Sequence, residues 1–168
     1  MDARHSSPIC VCASVRRASR AVCHLYDMVL SPSGLKVTQF VMLDAIYKAG
    51  EIAHCDLARQ LVASEETLSR RLASARAAGW LNMNVGSRSR RFYSISTAGR
   101  KLLESAMPSW ERAQERIRRE LGETDWRNLG AFSERVTQAA LRAEAAPMRN
   151  DRVDRERPPR REVHQEIH

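Results

Sequence analysis

Residues 64–96 read SEETLSRRLASARAAGWLNMNVGSRSRRFYSIS. The hydrophobic period changes halfway through. Leu68, Leu72 and Ala75 are spaced by four and three, which places them on one face of a helix. Ser64 stands where a helix cap belongs, and Glu65 and Glu66 follow in the first turn, where acids suit the helix dipole. Gly79 ends the run. Beyond it, residues 80–85 and 91–95 alternate with period two around Gly86-Ser87-Arg88-Ser89-Arg90. That pattern predicts a β-hairpin with a basic tip.

Working upstream, Leu57, Leu61 and Val62 predict a short helix over 54–62, and Phe40, Leu43, Ile46 and Tyr47 one after Thr38 that stops near Gly50. Val11, Val15, Ala18, Val22, Leu25 and Val29 step by four and three along a first helix over 9–31, broken by Ser31-Pro32-Ser33-Gly34. Downstream, Leu103, Ala106, Trp110, Ala113, Ile117 and Leu121 form the stripe of a long helix over 97–121. Pro108 lies inside it and predicts a kink. After Gly122, a last helix over 125–145 carries Trp126, Leu129, Phe132, Val136 and Ala140.

The fold class expected is therefore mainly α with a small β-hairpin wing. A winged helix-turn-helix over 36–96 is flanked by long helices over 9–31 and 97–145. Residues 1–8 and 146–168 are expected to be disordered: the tail mixes six Arg with five acids and holds Pro147, Pro158 and Pro159.

Composition agrees with one class of partner. The 168 residues carry 28 Lys and Arg against 20 Asp and Glu, a formal net charge of +8. Such a balance points to polyanions. Residues 64–96 hold six Arg and two acids, so half of the net charge falls in that segment. No apolar run approaches the ~20 residues of a membrane span, and no signal peptide is expected, since no charged segment followed by an apolar core opens the sequence. The expected localisation is cytoplasmic, and the four cysteines are then reduced thiols.

Groove geometry explains why such an element order binds DNA. The second helix of the turn motif fits the major groove, while the hairpin reaches the flanking backbone or minor groove. Thr67, Ser69 and Arg70 are the expected groove-facing residues, with Arg70 the best candidate for a base contact. Arg71 reads as a flank or phosphate contact. Arg88, Arg90 and Arg91 read as backbone or minor-groove contacts. Arg70 also lies one turn after Glu66, so an ion pair along the helix and a base contact through the acid both stay open. The long apolar stripes outside the winged motif predict a homodimer, with one reading head per half-site of a palindromic operator.

The middle of the chain resembles the MarR family of transcriptional regulators. Five pieces carry the likeness: residues 33–40 (SGLKVTQF), 56–61 (DLARQL), 67–72 (TLSRRL), 78–81 (AGWL) and 95–99 (ISTAG). The resemblance implies a dimer, reading by the helix at 64–78, and repression relieved by a small molecule or an oxidant. The family's effector pocket implies Tyr26, Phe40 and Trp110 as lining candidates. Its wing usually carries an Asp-x-Arg brace, which falls here on Ser87 and Ser89. Those two serines and the acids at Glu65 and Glu66 motivate a rival reading, a winged-helix module that binds protein rather than specific DNA.

Cys12 and Cys23 are eleven residues apart on the first helix, roughly 16 Å by helical rise, which excludes a bond between them within one chain. A bond across a dimer stays open. The hydroperoxide-sensing branch of the family implies Cys12 as a redox-sensing candidate, with Tyr26 as one of that branch's helical tyrosines and Arg16 in place of the other. Cys23 and Cys55 read as small buried thiols. Cys10 and Cys12 with His5, Cys23 with His24, and His54 with Cys55 supply ligand types, but no metal site and no cofactor is assigned from them. No nucleophile–base set or phosphate loop is recognisable, and no enzyme is expected.

Overall fold

The computed structural model describes residues 10–146. Of the segments expected to be disordered, 1–8 and 146–168, all but Ala146 lie outside the described residues. The chain divides into two compact units, one up to Glu120 and one from Leu121, which share the expected span 9–145 between them. No helix among the described residues is long and apolar enough to cross a membrane.

The first unit is built around α2 (Val37–Ala49). Its buried residues Val37, Phe40, Met42, Leu43, Ala45 and Ile46 run round more than one face, which is the pattern of a helix packed on several sides. Helix α1 (Val11–Leu30) leads into it through a short 3₁₀ turn. Asp27 Oδ1 of α1 accepts the Val37 backbone N–H at 2.7 Å and so satisfies one of the orphan donors of α2. Only the C-terminal part of α1 enters the core, through Tyr26 and Leu30. Val11 and Val15, at 61% and 45% exposure, leave the front of its stripe uncovered in the single chain.

A strand that periodicity does not reveal follows Gly50. Residues Glu51–Ala53 form β1, which pairs antiparallel with β3 (Arg91–Ile95); β3 also pairs with β2 (Leu81–Val85). The expected two-stranded hairpin is thus part of a three-stranded sheet of order β1-β3-β2. Tyr93 sits in the central strand opposite both Ile52 and Met83, and is buried.

Between β1 and β2 lie α3 (His54–Gln60) and α4 (Glu65–Ala77). The turn joining them passes through Val62 at φ 48°, a left-handed conformation that disfavours a β-branched residue. Leu57, Leu68 and Leu72 lock the pair into the core; burying each stabilises the fold by about 1.5–3 kcal/mol.

Helix α5 (Thr97–Leu121) is continuous, and Pro108 lies inside it without ending it. Its start is fixed by Ser96, whose hydroxyl donates to the Gly79 carbonyl at 2.6 Å and accepts the Gly99 N–H at 3.0 Å. At Gly99 the backbone of the wing comes so close that an added Cβ would stand 2.2 Å from the Trp80 carbonyl oxygen.

The second unit contains α6 (Glu123–Ala145), opened by Gly122 at φ 78°. None of its residues is buried, and Leu129 and Phe132 of its apolar stripe are 43% and 54% exposed.

Candidate nucleic-acid interface

The outer face of α4 follows from its inner one. Leu68, Leu72 and Ala75 anchor the helix, so a residue two positions past Leu68 points the other way. That residue is Arg70, whose side chain is 72% exposed. It lies 3.6 Å from the Glu66 carboxylate, one turn before it. The intrahelical pairing left open by the sequence is formed. Both partners are mostly in water, so the pair adds at most about 0.5 kcal/mol to stability and can be exchanged for another anion. Arg71 is exposed as well, on the next position round the helix.

Thr67 and Ser69 are half-buried and already engaged. Ser64 is the N-cap of α4: its Oγ accepts the Thr67 N–H at 3.3 Å and donates to Thr67 Oγ1 at 2.9 Å. Part of the hydrogen-bonding capacity of Thr67 therefore serves the helix start. Ser69 Oγ lies 3.1 Å from His54 Nε2, across the turn on α3. The His54 ring in turn tilts at 50° against Tyr93, with centroids 6.2 Å apart. In the sequence alone His54 is only a metal-ligand type; its use as a link between α3, α4 and β3 depends on tertiary contacts with no local signal.

The wing brings its three arginines to the surface by an unusual turn. Residues 87–90 form a turn in which both central residues, Arg88 and Ser89, have positive φ, 56° and 57°. This primed turn suits the twist of a hairpin but normally takes Asn or Gly. It is closed by the Arg90 N–H to the Ser87 carbonyl at 3.4 Å, and the Gly86 N–H donates to the Arg90 carbonyl at 2.8 Å. The Phe92 ring packs over Gly86, where a Cβ would stand 2.7 Å from it, and carries the Arg90 guanidinium 5.7 Å from its centroid. Phe92 thus supports a wing tip whose Ser87 and Ser89 supply no acid–base brace. Arg88, Arg90 and Arg91 are all exposed.

The other candidate residues lie elsewhere. Tyr26, Phe40 and Trp110 belong to the core of the first unit: Tyr26 and Phe40 are buried and Trp110 is packed against them. Phe40 and Trp110 stack at 5.7 Å and 13°, and the Tyr26 hydroxyl donates to Gln114 Oε1. Burial raises the Tyr26 pKa above its usual value. Cys12 is exposed at the second position of α1. Tyr26 follows it by fourteen residues on the same helix, roughly 21 Å along the axis, so the two do not meet within one chain. Cys23 is half-buried, whereas Cys55 is exposed and corrects the expectation of a buried thiol, because α3 turns only Leu57 and Ala58 inward. Among the described residues no three His, Cys, Asp or Glu side chains converge as metal ligands.

No family model and no curated protein matches the sequence. Solved structures do. The M. tuberculosis transcriptional regulator MosR in complex with DNA is 29% identical, with a TM-score of 0.74 over 80% of this chain and 98% of that one. A second crystal structure of M. tuberculosis MosR is also 29% identical, at a TM-score of 0.69 over 82% of this chain and 97% of that one. A cysteine-to-serine mutant of MarR from E. coli, complexed with operator DNA, is 18% identical at a TM-score of 0.69, over 76% of this chain and 94% of that one; at that identity it speaks for the fold alone. The order of helices, the strand order β1-β3-β2 and these likenesses agree, and the chain has the winged-helix fold of the MarR-type transcriptional regulators.

Proposed function

We propose that this chain is a homodimeric DNA-binding transcriptional regulator, acting as a repressor on a palindromic operator. The observation that carries the reading is the shared exposure of Arg70 on the outer face of α4 and of Arg88, Arg90 and Arg91 on the wing, the two elements that a winged helix presents to groove and backbone. The likeness to MosR, solved with DNA, supports it. The uncovered apolar residues Val11 and Val15 of α1 and Leu129 and Phe132 of α6 support a second copy as their cover.

Release of DNA by an oxidant would begin at Cys12, exposed near the start of α1 with Arg16 one turn on. Release by a small molecule would act through the core beside Tyr26, Phe40 and Trp110, where the half-buried Trp110 is the ring with least to displace. Mobility-shift assays on the DNA upstream of its own gene, with reduced and peroxide-treated protein, test this reading. Wild-type protein should shift that DNA and not a scrambled duplex. If peroxide releases DNA from wild type and equally from Cys12→Ser, Cys12 is not the sensor.

A second reading is a winged-helix module that binds protein. It is favoured by the Glu66–Arg70 pair, which places an acid beside the best groove-facing cation. Equal, weak shifts of operator and scrambled DNA would support it.

A further inference from the structure

Hydroxyls on the helices of this protein have an easy partner in their own backbone. Ser105 donates to the Leu102 carbonyl at 2.8 Å, and Thr137 to the Ser133 carbonyl at 3.0 Å. Ser69 uses a different partner. Its Oγ reaches across the turn to His54 Nε2 at 3.1 Å, and the imidazole is held from behind by the Tyr93 ring in the central strand. Ser69 is half-buried on α4, one position before the exposed Arg70 and so about 100° round the helix from it, with part of the residue open to solvent.

A serine hydroxyl has one proton and two lone pairs. A fixed imidazole nitrogen settles how one of these is used and leaves the rest with a defined polarity. If Nε2 bears hydrogen, Ser69 accepts and its own proton is left to donate, which matches guanine O6 or N7 or a phosphate oxygen. If Nε2 is bare, Ser69 donates to it and presents lone pairs, which matches an adenine or cytosine amine. A hydroxyl without that partner can do either and so discriminates poorly.

We propose that His54 is a positioning residue for base recognition: it holds Ser69 Oγ in one orientation, so that Ser69 reads a defined base edge beside Arg70. The inference rests on the regulator reading above. It assigns His54 no contact with DNA of its own.

The test is a double-mutant cycle in DNA binding, read by fluorescence anisotropy on the duplex upstream of the gene and on single-base variants of it. Ser69→Ala is mild in a helix, and His54→Phe keeps a ring against Tyr93 while removing the hydrogen bond. Each single variant should weaken binding by about three- to tenfold, the range of one neutral hydrogen bond. Each should lose discrimination at the same base position. The double variant should be no weaker than the weaker single one, because the two residues act as one unit. Arg70→Ala should add its own loss on top. His54→Phe that binds and discriminates like wild type overturns the proposal, as do losses that multiply in the double variant. Should His54→Phe not fold, Ser69→Ala decides alone: wild-type affinity and discrimination in that variant overturn it. Wild-type protein that binds all duplexes alike overturns the regulator reading itself, and that result is distinct from a selective wild type whose His54 variant is equally selective.

Discussion

Glu66 and Arg70 face each other at 3.6 Å on the exposed side of the helix that would enter the groove. The acid is close enough to hold the arginine when no DNA is present, and exposed enough to release it. Arg70→Ala should lower affinity for the preferred duplex by about 1–3 kcal/mol and relax one base position. Glu66→Ala should instead raise affinity for scrambled DNA, since it removes a charge that repels phosphate. Thermal unfolding of both variants should stay near wild type, as expected of an exposed pair. Anisotropy titrations measure the first two effects.

Val62 turns the chain between α3 and α4 at φ 48°. A left-handed residue with a branched Cβ costs about 1–2 kcal/mol relative to one without a side chain. The side chain is 58% exposed, so little packing is lost on removing it. Val62→Gly should therefore leave the fold as stable or more stable, despite the greater freedom glycine gives the unfolded chain. Urea unfolding tests this; a marked fall in the midpoint would contradict it.

At Gly99 the balance runs the other way. Alanine is the better helix former by about 1 kcal/mol. Its Cβ would however stand 2.2 Å from the Trp80 carbonyl oxygen, a backbone atom that cannot swing aside. Overpacking of this kind costs about 1–3 kcal/mol and shifts the backbone. Gly99→Ala should lower the unfolding temperature and, because Trp80 leads into β2, also weaken DNA binding through the wing.

Tyr26 supplies a pH test. Burial raises its pKa above the usual 10.0, so above that pH the unfolded chain gives up the proton while the folded chain keeps it. The stability that depends on this difference is complete below pH 10 and is lost as the pH rises toward the folded-state value. Tyr26→Phe should flatten that alkaline fall, while losing the hydrogen bond to Gln114 at neutral pH. Unfolding midpoints at pH 8 and above compare the two.

Much of this architecture is legible in local pattern, and the exceptions have physical causes. Helices α1, α4 and α5 announce themselves by apolar spacing, and α4 also by the Ser64 cap that the structure uses. Strand β1 does not: three residues between Gly50 and His54 are too few to show a period, and only pairing with β3 makes them a strand. The primed turn at Arg88 and Ser89 carries neither Asn nor Gly, so its shape is set by the strands it joins rather than by its own residues. Arg70 follows from the helical wheel alone. Ser69 and Thr67 share its helix, but their hydroxyls are directed by His54 and Ser64, and the His54 link crosses between two helices. Cys55 lies in a helix of seven residues, too short for its inward face to be read from spacing.

In the proposed function, α4 and the wing together bind a specific DNA. The most direct test is a salt titration of anisotropy binding on the duplex upstream of the gene, comparing wild type with R88A/R90A/R91A. Wild type should bind tightly, far more so than to a scrambled duplex. Its log–log salt slope should fall by about 0.9 for each wing arginine that neutralises a phosphate. Binding that is equally weak on both duplexes, or a slope unchanged by loss of the three arginines, would contradict it.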